Sequence, residues 1–213
     1  MIPNWSEAAL GDVPADTNWF LDRHGLRGKF VVQYSGNLGR GHEFGTLLNA
    51  AEQLRHRSDI AFVFIGEGAK REEVQQTVRS RGLTNVTLLP YQRREDLPFS
   101  LGAASVSVIT LADALEGLIV PSKLYGVMAA GKPALNFGSQ EGEVARVLRA
   151  ENCGTTVAHG EVAGTVEAIL GLAQDPARAV AQGARGRAAF LKRYDRPLAT
   201  QRWHELCREV AAP

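Results

Sequence analysis

The chain has 213 residues, 45% of them hydrophobic and 22% charged, with 24 Lys and Arg against 23 Asp and Glu for a formal net charge of +1. That length and composition suit one large α/β domain with a sizeable core, and the near-neutral balance, free of like-charge runs, gives no reason to expect nucleic acid as a partner. Two cysteines, Cys153 and Cys207, without CxxC spacing, argue against a disulfide scaffold or zinc site and fit a reducing compartment.

In chain order, residues 1–28 lack a clean hydrophobic period and carry Pro3, Gly11 and Pro14. They read as a linker with one short helix near residues 17–24, and Met1 to Trp5 has neither the basic start nor the apolar run of a leader. From Lys29 the pattern changes to a domain spanning residues 29–213, in which short β-rich runs alternate with helical ones. Strands are expected at residues 30–34, 60–65, 86–89, 105–109, 133–137 and 155–157. Several are apolar at consecutive positions, as in strands covered on both faces. Between them, Phe44, Leu47, Leu48, Ala51 and Leu54 form a stripe at helical spacing, and Val74 and Val78 a weaker one. Further helices are expected at 97–104, 122–130, 141–150, 162–173, 177–194 and 197–210. The longest apolar region, residues 106–120, is interrupted by Asp113 and Glu116, so no membrane span is expected. Such alternation predicts an α/β, doubly wound parallel sheet of Rossmann-like type, with ligands at the carboxyl ends of its strands.

The loops after the strands are therefore the places to look for chemistry. After the first strand comes Ser35-Gly36-Asn37-Leu38-Gly39-Arg40-Gly41-His42. Glycines here let the backbone approach a ligand, the loop is expected to open a helix whose N-terminal amides suit phosphate, and Arg40 adds a cation. The alternative is a tight turn without a ligand. The spacing is neither a dinucleotide GxGxxG nor a P-loop. After the second strand comes Gly66-Glu67-Gly68-Ala69-Lys70-Arg71, whose two cations read as solvated turn charges. After the third, Pro90-Tyr91 offers a wall and a platform for a nucleobase, or a plain surface turn. After the fourth, Pro121-Ser122 starts a helix with Ser122 as N-cap, and Gly131-Lys132-Pro133 stops it. Lys123 lies in that helix's first turn, where a cation is unfavourable unless an anion is present. None of the five histidines has triad or metal spacing. His24, His56, His159 and His204 read as surface residues, and only His42, beside the Gly-rich loop, is a site candidate.

Taken together, Tyr34-Ser35-Gly36-Asn37-Leu38-Gly39, Phe64-Ile65-Gly66-Glu67-Gly68, Leu89-Pro90-Tyr91, residues 116–125 (EGLIVPSKLY) and Met128-Ala129-Ala130-Gly131-Lys132-Pro133 resemble the retaining, nucleotide-sugar-dependent glycosyltransferases of the GT-B fold, family 4, in the branch that builds bacterial O-antigen, capsule and other exopolysaccharides. Ile2-Pro3-Asn4-Trp5 resembles that family's interdomain linker. The resemblance implies the donor-binding second domain, one half of a GT-B architecture. Gly36, Gly39 and Arg40 would then hold the diphosphate, with Lys123 as a second basic residue near the helix start; Asn37, Gly66 and Ser122 would join the donor-binding residues, and Pro90-Tyr91 would meet the base. Glu116 and the amides of Gly117, Leu118 and Ile119 would meet the sugar and phosphate. Arg40, Lys123 and Glu116 would be the catalytic groups, with fixed cations stabilising the departing diphosphate in place of a metal. No Asp-x-Asp metal motif is present, and no cofactor is implied beyond a UDP-sugar or GDP-sugar donor. The sequence departs from the family at Gly126, where a second glutamate is usual. The resemblance also implies a missing N-terminal acceptor-binding domain, with this chain alone inactive, and a cytoplasmic enzyme reaching the inner membrane face through that domain. A sugar-nucleotide 2-epimerase half and a non-enzymatic nucleotide-binding module are the alternatives.

Overall fold

The computed structural model describes residues 4–7 and 13–211; Met1, Ile2, Pro3 and Gly11 of the expected linker lie outside them. After α1 (Trp19–Arg23) the chain alternates strictly: β1 (Phe30–Ser35), α2 (Gly45–Gln53), β2 (Ile60–Ile65), α3 (Arg71–Ser80), β3 (Val86–Leu89), α4 (Leu97–Gly102), β4 (Val106–Thr110), α5 (Lys123–Ala129), β5 (Ala134–Phe137), α6 (Glu143–Glu151) and β6 (Gly154–Val157). Three helices then close it: α7 (Val162–Gln174), α8 (Pro176–Arg193) and α9 (Arg196–Ala211). Every pairing is parallel, in the order β3-β2-β1-β4-β5-β6. This is the doubly wound, Rossmann-like sheet expected from the sequence.

The apolar strands form because both faces are covered. β2 is buried at all its positions, as a central parallel strand must be. On one face, Val32, Tyr34, Phe62 and Phe64 pack with Leu47, Leu48, Val74, Ile169 and Leu172 from α2, α3 and α7. On the other, Val31, Ala61, Val63 and Ile65 meet Phe20 and Leu21 of α1. Farther along that face, Ile109 meets Leu124, Met128, Leu148 and Phe190.

Caps fix the ends. Asn18 accepts from the Phe20 amide and donates to the Phe99 carbonyl, tying α1 to α4. After α5, Gly131 takes a positive φ of 64°, with Gly131 N–H donating to Met128 O and Lys132 N–H to Val127 O. This is the paired glycine stop that the Gly-Lys-Pro sequence implied. At the amino end, Ser6 forms a parallel bridge to Asp195, and Glu7 accepts from Arg94 and Arg196. Ser6 and Glu7 are therefore fastened near the α8–α9 junction.

Two local expectations fail. The Gly-rich loop does not open a helix directly: α2 begins only at Gly45, and the Glu43 carboxylate accepts from the Gly45 and Thr46 amides. Those two helix-start donors are therefore used by the Glu43 side chain. Ser122 occupies the N-cap position of α5, but it is helical itself (φ −62°, ψ −18°) and makes no capping bond.

Candidate functional site

Sequential strands run outward from β1 to β3, and the chain then returns to place β4 beside β1. That reversal is the switch point where open α/β sheets bind ligands. β1 and β4 pair only at Val32–Val106 and Gln33–Ser107. Their carboxyl ends run on without pairing to each other, so a crevice opens above Gln33 and Ser107. A cavity of about 380 Å³ occupies it, within the roughly 300–1,000 Å³ usual for small-ligand sites. Its lining includes Gly36, Lys123, Tyr91 and Gln92, with Leu97 and Leu101 from α4 and Gly126 and Val127 from α5.

The phosphate-loop candidates cohere through close backbone contact. Gly36 N–H donates to Ile65 O, Leu38 N–H to Glu67 O and Lys70 N–H to Leu38 O, zipping the loops after β1 and β2 together. A Cβ at Gly66 would overlap the Gly36 carbonyl oxygen, and Gly66 has a φ of 137°. Gly39 and Gly68 both abut the Asn37 carboxamide. Glycine at Gly66 and Gly68 is thus dictated by close packing between the loops, while Gly39 meets only the end of the Asn37 side chain on its own loop.

Lys123 is the centre of the arrangement. Its side chain crosses Gly36 so tightly that a Cβ there would overlap Lys123 Cε. Lys123 Nζ lies 5.0 Å from the Tyr34 ring centroid and 3.3 Å from His42 Nε2. Burial lowers its pKa to about 8. His42 Nδ1 meets the Thr110 carbonyl oxygen at 2.6 Å. A carbonyl only accepts, so Nδ1 carries the proton and Nε2 is left to accept from the ammonium. Burial, with the positive charges of Lys123 and Lys70 nearby, lowers the His42 pKa and keeps the ring neutral. The first-turn amides of Leu124 and Tyr125 already bond to Pro121 O and Ser122 O. An anion at this helix start would therefore be met by the lysine ammonium rather than by a row of free amides.

Arg40 is exposed on the same loop, and among the described residues no hydrogen bond or ion pair joins it to Lys123 or Glu116. Glu116 lies apart from the cavity. Its carboxylate sits against Gly142 at the start of α6, where a Cβ would collide with it. The amides of Leu118 and Ile119, expected to face a ligand, both bond to Leu115 O, while the Leu118 and Ile119 side chains are exposed. Gly117, with a φ of 78°, makes the turn between them and Glu116. The structure thus brings Gly36, Tyr91 and Lys123 to one cavity, with Asn37, Gly39 and Gly66 shaping the loops beside it. Pro90 stays on the exposed turn preceding Tyr91, and Ser122 is exposed.

Other residues emerge only in three dimensions. Lys70, read as a solvated turn charge, sits close enough to act on His42. His159, read as a surface residue, has a side chain only 12% exposed. Its Nδ1 meets Glu43 Oε2 at 3.1 Å and its Nε2 meets Leu111 O at 2.8 Å, pinning the loops after β1, β4 and β6 together. His24 is half-buried against the Phe20 ring. Gln33 and Ser107 carried no loop signal, because they lie inside strands. Among the described residues, no group of three or more His, Cys, Asp or Glu is placed to share a metal ion, and no helix is long and apolar enough to cross a membrane.

Residues 29–175 match the family model described as "Glycosyl transferases group 1". The chain is 31% identical over 148 residues to the probable glycosyltransferase WbjE of Pseudomonas aeruginosa, spanning 69% of this chain and 37% of that protein. It is 29% identical over 137 residues to the putative colanic acid biosynthesis glycosyl transferase WcaI of Escherichia coli (strain K12), spanning 63% and 33%. Among solved structures, Anabaena HepE in complex with UDP-glucose superposes with a TM-score of 0.82 at 19% identity, covering 98% of this chain and 57% of that one. The C-terminal domain of LpcC, a glycosyl transferase group 1 family protein from Francisella tularensis, superposes with a TM-score of 0.70 at 16% identity, covering 90% of this chain and 99% of that one. The chain thus spans about a third of the length of the curated relatives it matches.

Proposed function

The chain belongs to the glycosyl transferase group 1 family, and from that premise we propose that it is the donor-binding half of a retaining, family 4 enzyme. In this reading it moves a hexosyl group from a UDP-sugar or GDP-sugar to a polysaccharide or lipid-linked acceptor. The observation that carries the reading is the cavity at the switch point, with the half-buried Lys123 among its lining residues. A cation that has no carboxylate partner among the described residues, next to glycine backbone, suits a diphosphate. The UDP-glucose bound to HepE, which shares the fold, supports this class of ligand.

The proposed chemistry follows from charge. When the glycosidic bond to phosphate breaks, the nucleoside diphosphate gains negative charge. Lys123 meets that charge from a fixed position, and Arg40 approaches from the exposed loop, filling the part a divalent ion plays in other transferases. Tyr91 gives the base an aromatic face beside the cavity. Glu116, near the start of α6, faces the sugar, at the place where an acceptor half would close the site. Transfer requires that half; the enzyme is proposed to work in the cytoplasm and to reach the inner membrane face through it. A 2-epimerase would need paired acid and base groups at the sugar, whereas this reading places one carboxylate there, Glu116.

Equilibrium dialysis with labelled UDP and GDP, comparing the unaltered chain with Lys123→Ala and Arg40→Ala, tests the assignment. Lys123→Ala is expected to weaken binding by about tenfold or more, as loss of a charge-assisted contact does. Arg40→Ala, more exposed, should cost less. Unchanged affinity in both would remove these residues from the site.

A further inference from the structure

Gln33 is a polar residue where the fold calls for an apolar one. It lies in the middle of β1, on the sheet face shared with Val31, and is 1% exposed. Neither its carboxamide oxygen nor its nitrogen has a hydrogen-bond partner. Buried polar groups are nearly always paired, and an unpaired one destabilises the fold. Its location adds a second observation. Gln33 and Ser107 form the last register pair of β1 and β4 before the crevice opens, and both line the cavity.

The geometry points to Gln33, with Ser107 beside it, as the residue that reads the hydrogen-bonding edge of the donor's nucleobase. This inference rests on the donor-site reading above. Both residues line the cavity, and Gln33, 1% exposed, lies deeper than the half-buried Lys123. Leu97 and Leu101 give the lining apolar side chains, and Tyr91 adds an aromatic one. A ribose, polar on every side, suits such a lining poorly. A heterocycle has apolar faces and a polar rim, and it suits both the apolar lining and Gln33. The Gln33 carboxamide presents one acceptor and two donors, the complement of the adjacent donor and acceptor on a base edge. With the diphosphate at Lys123, the nucleoside extends inward toward Gln33. A site that hydrogen-bonds a ligand's polar edge discriminates strongly, because a mismatched edge leaves buried groups unpaired.

Titration calorimetry of the unaltered chain, Gln33→Leu and Gln33→Met with UDP, GDP and inorganic pyrophosphate, together with melting curves of the unliganded proteins, tests the inference. The nucleotide that the unaltered chain binds should bind about tenfold or more weakly to both variants, the size of a lost buried hydrogen bond. Pyrophosphate affinity should stay within about twofold, and neither variant should melt below the parent, since an unpaired buried group has been removed. Nucleotide affinity untouched by both substitutions, or pyrophosphate weakened in parallel, would overturn the role of Gln33 and leave the donor-site reading standing. Binding of neither nucleotide nor pyrophosphate by the unaltered chain would overturn both.

Discussion

Lys123 has the most direct pH consequence in the molecule. Burial lowers its pKa from 10.5 to about 8. Between these values the unfolded chain holds a proton that the folded chain has shed, so this group makes stability rise with pH across that window. Anion binding runs the other way, because it requires the charged form. Diphosphate affinity should therefore fall as pH rises through about 8, approaching tenfold per pH unit above it. Lys123→Arg should flatten the dependence, since a guanidinium keeps its proton throughout. Binding curves taken across that range read both effects; a fall of equal steepness in the arginine variant would assign the titration to another group. The lysine, its glycine neighbours and Tyr91 were legible in sequence because loop glycines and a misplaced first-turn cation are local signals. Gln33, Ser107, Lys70 and His159 were not, because their significance depends on which strands and loops come to lie beside them.

The elements hold the site through glycine contacts that differ in their rigidity. At Gly66 an added Cβ would meet the Gly36 carbonyl, and the backbone is already in the left-handed half of φ space. Neither party can yield. Gly66→Ala should cost at least about 2 kcal/mol of stability, seen as a lower urea midpoint at unchanged slope. At Gly142 an added Cβ would meet only the end of the Glu116 side chain. Gly142→Ala should cost less than about 1 kcal/mol, while moving the carboxylate from its place by α6. Equal losses in the two variants would mean that the loop packing after β1 and β2 is not as described. The strands were readable from their apolar runs to within a residue at every end. The start of α2 was not, since the Glu43 cap that delays it follows three glycines which resemble a helix entry.

At the scale of the whole molecule, one sheet with an open crevice at its switch point is half of a catalytic cleft in the proposed reading. α9 supports this view: Ala199 is its buried residue, while Trp203, Leu206 and Val210 are exposed. Exposed apolar residues on one helix fit a surface that a partner domain covers. The chain alone is therefore expected to bind donor and to transfer no sugar, with nucleotide release appearing once an acceptor half is supplied. Sugar transfer by the isolated chain would contradict that division. The doubly wound order was predictable because alternating elements and right-handed crossovers leave few alternatives. The crevice itself depends on where β1 and β4 stop pairing, which no stretch of sequence encodes by itself.

The most direct test of the central claim is isothermal titration of this chain with UDP, GDP and NAD in buffer containing EDTA. The account predicts saturable binding of UDP or GDP, undiminished by the chelator, and none of NAD. Binding of NAD in preference, or of no nucleotide at all, would contradict it.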